Sequence, residues 1–205
     1  VAETAETLKQ DILAATGREL SIVSETSKKT DGHAIILCIQ EGELLPEEYT
    51  LQIDSDVIIS GADADAVFWG TRTLMQLIVQ DKKLPRGLIW DYPVYEVRGL
   101  GLDVARKPVS MDTLKEVILL MSWYKMNDLH LHLNDNALMD YVSDDAFDAY
   151  SAFRLESQME NEDGVSISAD DYHYTKEEFS ELLQFARDYH VNIIPEFDTP
   201  SHSLA

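Results

Sequence analysis

Apolar positions are spaced in two different ways along the chain, and the change from one to the other divides it. Residues 4–15 place Leu8, Ile12 and Leu13 on one helical face, and Gly17 is positioned to stop that helix. Short β-rich runs follow at 20–23, 34–39, 49–53 and 57–60, separated by polar or Gly- and Pro-containing turns. Residues 63–80 predict a second helix, opened by an acidic first turn and carrying Val67, Leu74, Leu77 and Ile78 inward. A linker is expected over 84–95, where Pro85, Gly87 and Pro93 fall. From Glu96 onward strands and helices alternate, which implies a parallel sheet. The strands are 98–104, 128–133 and 191–197, and the helices are 111–125 (Leu114, Val117, Ile118 and Met121 inward) and 174–190. Thr175 is placed to cap the last helix, with Glu178 three residues on to complete a capping box. The stretch 135–171 between them is long and irregular, and loops of that length are usually functional or mobile. The pattern predicts a small α+β domain over 1–92 and an α/β domain over 93–205.

Composition narrows the function. The 205 residues suffice for a buried core, and 45% hydrophobic with 26% charged content is that of a globular protein. A formal net charge of -22 argues against a nucleic-acid partner, whose phosphates are gripped by Lys and Arg, and is compatible with a neutral substrate. Cys38 is alone, so no intramolecular disulfide forms, and its apolar surroundings predict a buried, inert thiol. No apolar run reaches the ~18 residues of a membrane span. Residue 1 is Val and not Met, and the natural amino terminus is expected to have been removed. No repeat or low-complexity tract is evident.

Three strands of the second part each end in a knot of polar residues: RGLGLDVAR at 98–106, HLHLNDN at 130–136 and PEFDTPSH at 195–202. Parallel α/β folds gather their chemistry at the carboxyl ends of strands. His130 and His132 are two apart and so share one face of a strand, an arrangement open to two readings: a metal site, or hydrogen-bonded residues beneath a site. Asp103 and Glu196 are expected to brace neighbouring backbone or Arg106. Pro200 makes the loop between Asp198 and His202 a shaped one. Trp123 and Tyr124 are expected in the core, whereas Tyr141, Tyr150 and Phe153 in the long loop are candidates for stacking on a substrate.

These three motifs, in this order, resemble glycoside hydrolase family 20, the β-N-acetylhexosaminidases, across the second half of the chain. SAFRLES at 151–157 and YTKEEF at 174–179 look most like a bacterial branch that includes lacto-N-biosidases. The preceding elements, with DADAVFWG at 63–70, resemble the small domain in front of that family's barrel. The resemblance implies an α/β fold: a small amino-terminal α+β domain followed by the first three strands of a truncated (β/α)₈ TIM barrel. It implies a retaining, exo-acting glycosidase that removes terminal β-linked N-acetylhexosamine or lacto-N-biose, the substrate's own acetamido oxygen attacking the anomeric carbon. Arg98 matches the arginine that grips the terminal sugar's hydroxyls, a task suited to a planar guanidinium. Asp135 matches an aspartate paired with the histidine at His202, which in turn contacts the general acid; Asp198 and His132 stand behind them as orienting residues. Asn136 stands where the family often has a second aspartate, and Ser201 where it usually has glycine. The acid and its aspartate partner follow a fourth strand, so no catalytic residue is assigned within these residues and the chain alone is expected to be inactive. The family uses no catalytic metal, and no cofactor is expected. The implied partner is a glycan carrying terminal N-acetylhexosamine, with no nucleic acid and no membrane span, and self-association is expected through the open barrel edge. Family resemblance points to an extracellular or cell-surface bacterial location. Two alternatives stay open: a non-catalytic carbohydrate-binding module, and a metal-dependent hydrolase using His130 and His132.

Overall fold

The computed structural model describes residues 1–24, 33–80, 83–137, 150–151, 153–160, 164 and 166–203. The chain divides into two units, Val1–Glu96 with Ser122–Lys125, and Val97–Met121 with Met126–Ala205.

In the first unit, α1 (Ala2–Thr16) ends on Gly17, whose φ of 70 lets its N–H close back on Leu13 O. Leu8 and Ile12 are buried as their spacing requires, but Leu13 lies 45% exposed, at the margin of the face. Four strands follow in the order β1-β3-β2-β4, with β1 (Ile35–Ile39) parallel to β3 (Val57–Gly61), and β2 (Tyr49–Ile53) antiparallel to both β3 and β4 (Gly87–Asp91). Alternation sends Tyr49, Leu51, Ile53 and Ile59 to one face, where α2 (Ala64–Gln80) supplies Val67, Phe68 and Leu74. Burying side chains such as Leu51 and Ile59 completely stabilises the unit by roughly 1.5–3 kcal/mol each. Buried Arg72 of α2 pairs with Asp11 of α1 at 2.6 Å, which compensates its desolvation.

Three expectations are corrected here. Residues 20–23 form no strand: Ile22 and Val23 are exposed, and among the described residues no strand pairs with this run, so water and not a ladder meets its backbone. The linker at 84–95 contains β4, because Pro85 and Pro93 bracket a β-rich segment that pairs with β2. Cys38 is half-buried, its Sγ 3.2 Å from Ser60 Oγ.

The second unit holds a parallel sheet, β5-β6-β9, made of β5 (Gly99–Asp103), β6 (Asp128–His132) and β9 (Asn192–Glu196). Between these come α3 (Met111–Trp123), the short pair β7 (Asn136–Ala137) and β8 (Tyr150–Ser151), and α4 (Lys176–Asp188). The central strand sorts its side chains by parity: Leu129, Leu131 and Leu133 are fully buried with Leu114, Ile118 and Met121 of α3 and Leu182 and Ala186 of α4, while His130 and His132 take the opposite face. The capping box at α4 forms as predicted, with Glu178 N donating to Thr175 Oγ1 at 3.1 Å and Thr175 N to Glu178 Oε2 at 2.9 Å. Buried Tyr174 donates its hydroxyl to Val109 O at 2.7 Å, and burial pushes its phenol up, so it remains a donor. Tyr124, expected in the core, is 66% exposed, because α3 ends before it and the next turn runs through the left-handed Lys125.

One close approach sets the spacing of helix and sheet in the first unit. A Cβ at Gly70 of α2 would lie under 3.0 Å from Ile59 Cγ2, inside a core that has no free volume there. Gly70→Ala is therefore expected to destabilise the protein: overpacking costs roughly 1–3 kcal/mol, more than the ~1 kcal/mol that alanine gains in helix propensity. Urea unfolding would measure it, and a variant as stable as the parent or more so would show that the helix shifts freely.

Candidate active site

Parallel, in-register pairing aligns Asp103, His132 and Glu196 at the carboxyl ends of the three strands. Asp103 Oδ1 accepts from the N–H groups of Ala105 (3.0 Å) and Arg106 (3.1 Å), a local turn that brings the Arg106 guanidinium back over the strand ends. Arg106 Nη1 then meets Asp103 Oδ2 at 2.5 Å and Nη2 meets Asp135 Oδ2 at 2.6 Å. Asp135, 4% exposed, also takes His132 Nε2 on Oδ2 at 2.7 Å and His202 Nδ1 on Oδ1 at 3.1 Å. Behind it, Glu196 accepts His132 Nδ1 on Oε1 at 3.1 Å and His130 Nε2 on Oε2 at 2.5 Å. The result is a continuous chain, His130 to Glu196 to His132 to Asp135 to His202, with Arg106 clamped to its side.

A second device fastens the loop after β9. The Asn134 amide accepts from Asp198 N at 2.7 Å and donates to Asp198 O at 3.0 Å and His202 O at 3.2 Å. It ties the turn containing the cis Thr199-Pro200 bond to the end of β6, and so delivers His202 to Asp135.

Asp135, His202, His132 and Asp198 are thus brought together, as is Glu196. Arg98 is not. It precedes β5, where its N–H donates to Asn127 Oδ1, and five residues of strand at ~3.3 Å each put it roughly 16 Å from the polar end. The guanidinium among the carboxylates is that of Arg106, and the signal was present: Arg106 follows the strand, Arg98 comes before it. Asn134 was also missed, since a loop amide carries no charge pattern to mark it. Of the stacking candidates, Phe153 packs on Phe197 with centroids 5.3 Å apart; Tyr141 and the side chain of Tyr150 lie outside the described residues.

Among the described residues, two sets of donors come within 4.8 Å of one another, Asp103 with His132 and Asp135, and His132 with Glu196 and Asp198. In the first, a cation would face the guanidinium already seated on both carboxylates. His130 joins neither set among the described residues, and its Nε2 meets Glu196 Oε2 at 2.5 Å. The geometry fits an ion-pair network better than a metal shared by these two histidines.

The network moves its members' proton affinities. Burial would lower His132, but hydrogen bonds to Asp135 and Glu196 outweigh it and hold the imidazole above its usual value. Burial would raise Glu196, but the hydrogen bond and the charge of His132 hold its carboxyl below its ordinary value. Burial is likewise outweighed at Asp103, which the Arg106 N–H and guanidinium keep low.

The order of elements and the polar ends of three parallel strands define an α/β unit with its candidate site at the carboxyl ends of the strands, following a small α+β unit in the sequence. Comparison with known proteins places it further. Residues 95–205 match the glycosyl hydrolase family 20 catalytic domain and residues 1–92 match domain 2 of the same family. The chain belongs to glycoside hydrolase family 20. It is 27% identical to beta-hexosaminidase B of Pseudoalteromonas piscicida over 97% of this chain and 27% of that protein. It is 35% identical to a beta-hexosaminidase of Akkermansia muciniphila over 63% of this chain and 26% of that protein. Among solved structures, a family 20 beta-N-acetylglucosaminidase superposes with a TM-score of 0.73 at 30% identity, covering 98% of this chain and 38% of that one. The beta-N-acetylhexosaminidase from Streptomyces coelicolor gives 0.75 at 28%, covering 98% and 40%. The chain spans about a quarter of the length of the curated relatives it matches. No helix among the described residues is long and apolar enough to cross a membrane.

Raised His132 contributes stability that is complete below its unfolded value of 6.5 and lost as pH rises through the folded one. Lowered Glu196 contributes stability that is complete above 4.5 and lost as pH falls through the folded value. The two overlap between pH 4.5 and 6.5. The difference in Tm between the parent and His132→Gln should be largest in that window and shrink toward pH 8. A difference that stays constant from pH 5 to 8 would mean that the ion pairs do not form in solution.

Proposed function

We propose that the whole protein removes terminal β-linked N-acetylhexosamine from glycans with retention, using the substrate's acetamido oxygen as nucleophile. The observation that carries this reading is the clasp of Arg106, His132 and His202 on buried Asp135 at the strand ends of a family 20 fold. Arg106, half-exposed and fixed by two carboxylates, is the guanidinium suited to grip sugar hydroxyls, in place of Arg98. Asp135 holds the tautomer and direction of His202, which orients the general acid.

The acid itself is none of the three carboxylates Asp103, Asp135 and Glu196. A general acid must keep its proton at the working pH, which requires a raised value. Asp103 and Glu196 are pushed the other way, and Asp135 faces three donors. The acid and its aspartate partner belong to a further strand. The names of the relatives favour release of single N-acetylhexosamines; release of lacto-N-biose, on the likeness of residues 151–157, is the alternative.

The test is hydrolysis of aryl N-acetyl-β-glucosaminide, N-acetyl-β-galactosaminide and lacto-N-bioside by the whole protein, with the first product anomer read by NMR. A β product is expected, and an α product would exclude the retaining route. Arg106→Lys should lower kcat/KM roughly 10- to 150-fold, since a charged hydrogen bond is worth about 1.5–3 kcal/mol, whereas Arg98→Lys should leave kinetics unchanged. The reverse pattern would restore Arg98 to the site.

The reading extends to the sheet edges. Among the described residues β9 has a neighbour on one side only, and Ile194 stands 42% exposed beside it. Such edges recruit other chains, so the 205 residues taken alone are proposed to self-associate. Light scattering across a dilution series checks this, and a monomer at every concentration would exclude it.

A further inference from the structure

Arg154 is the largest fully buried side chain among the described residues, and nothing in the proposed chemistry calls for it. A buried guanidinium costs several kcal/mol in desolvation unless its donors are met, so what they meet identifies its task. Its Nη1 pairs with Asp171 and donates to Tyr172 O at 2.7 Å, anchoring it to the segment that leads into α4. Its Nε donates to Ala105 O at 2.9 Å. That carbonyl belongs to the peptide joining Ala105 to Arg106, whose N–H donates from the opposite edge to Asp103 Oδ1 at 3.1 Å. A peptide is planar, and this one is held on both edges, so the direction in which the Arg106 side chain departs is set.

The backbone of Arg154 reaches the other half of the clasp. Its N–H donates to Leu133 O at 2.8 Å, two residues before Asp135, and its C=O accepts from Tyr174 N at 2.8 Å. One residue therefore fastens the two segments that present Arg106 and Asp135 to each other, across the 2.6 Å contact between them.

We propose that Arg154 is a positioning residue for substrate recognition, fixing Arg106 through the Ala105 carbonyl. This rests on the function proposed above. A lysine in its place has one ammonium and cannot reach Asp171, Tyr172 O and Ala105 O in the fork geometry of a guanidinium.

In the whole protein, Arg154→Lys is expected to raise KM for the aryl N-acetyl-β-hexosaminide on the order of tenfold, with kcat changed by less than about threefold, as for an interaction that displaces a binding group. A purely structural role would reduce the amount of folded enzyme, lowering apparent kcat at constant KM, and would overturn the proposal. A cycle with Arg106→Lys gives a second reading: Arg154→Lys should have little further effect in that background, and additive effects on KM would overturn the proposal. Hydrogen exchange separates this claim from the function. With or without turnover, the Arg106 amide should exchange on the order of tenfold faster in Arg154→Lys while Leu129 and Leu131 of β6 keep their protection. Unchanged exchange at Arg106, or equal loss across β6, overturns the positioning role. If Arg154→Lys does not fold, Asp171→Asn, which leaves Arg154 in place but weakens its anchor, should show the same pattern at smaller amplitude, and its absence there overturns the proposal too.

Discussion

A carboxylate withdrawn almost entirely from water has to be met by donors, and the second unit is organised around that demand at Asp135. Left unpaired at 4% exposure it would cost several kcal/mol. Its donors arrive from three places: Arg106 from the loop after β5, His132 from β6 itself, and His202 from the loop after β9. They can converge only if the three strands end level, as the pairing of Asp103, His132 and Glu196 makes them do. The core imposes the same register independently. Leu129, Leu131 and Leu133 occupy one parity of β6, so a slip by one residue would drive His130 and His132 into the apolar layer and set the leucines at the polar end. Packing and electrostatics therefore select one alignment.

The elements legible in the sequence are those whose information is local. The α4 capping box needs only Thr175 and Glu178, and the parity of β6 needs only alternation. Residues 20–23 have the composition of a strand but pair with no strand among the described residues, and the segment at 87–91 lies among turn residues yet pairs with β2. Strand formation there depends on partners distant in sequence, which composition does not reveal. At the site, residues that sit past a strand end announced themselves: Asp135, Asp198 and His202. Arg98 and Arg106 bound the same motif, and only the position of the strand between them tells which faces the carboxylates. Arg154 gave no sign, because an arginine is ordinarily exposed and its burial follows from acceptors at 105, 171 and 172.

The loop after β9 shows how the remaining conformational cost is met. The family resemblance puts a glycine where Ser201 stands, and a serine fits only where φ is negative. The left-handed residue of the turn is His202, with φ 59, and not Ser201. A histidine in that region carries a cost of about 1–3 kcal/mol, so the strain falls on the side chain that must reach Asp135. Two contacts oppose it: Asn134 Nδ2 holds the His202 carbonyl at 3.2 Å, and Asp135 Oδ1 holds its ring at 3.1 Å. A hydrogen bond to a charged partner is worth about 1.5–3 kcal/mol, enough to offset the backbone. Asn134 and Asp135 are adjacent at the end of β6, so the strand that sets the register also holds the strained turn, and His202 keeps its orientation only while both grips persist.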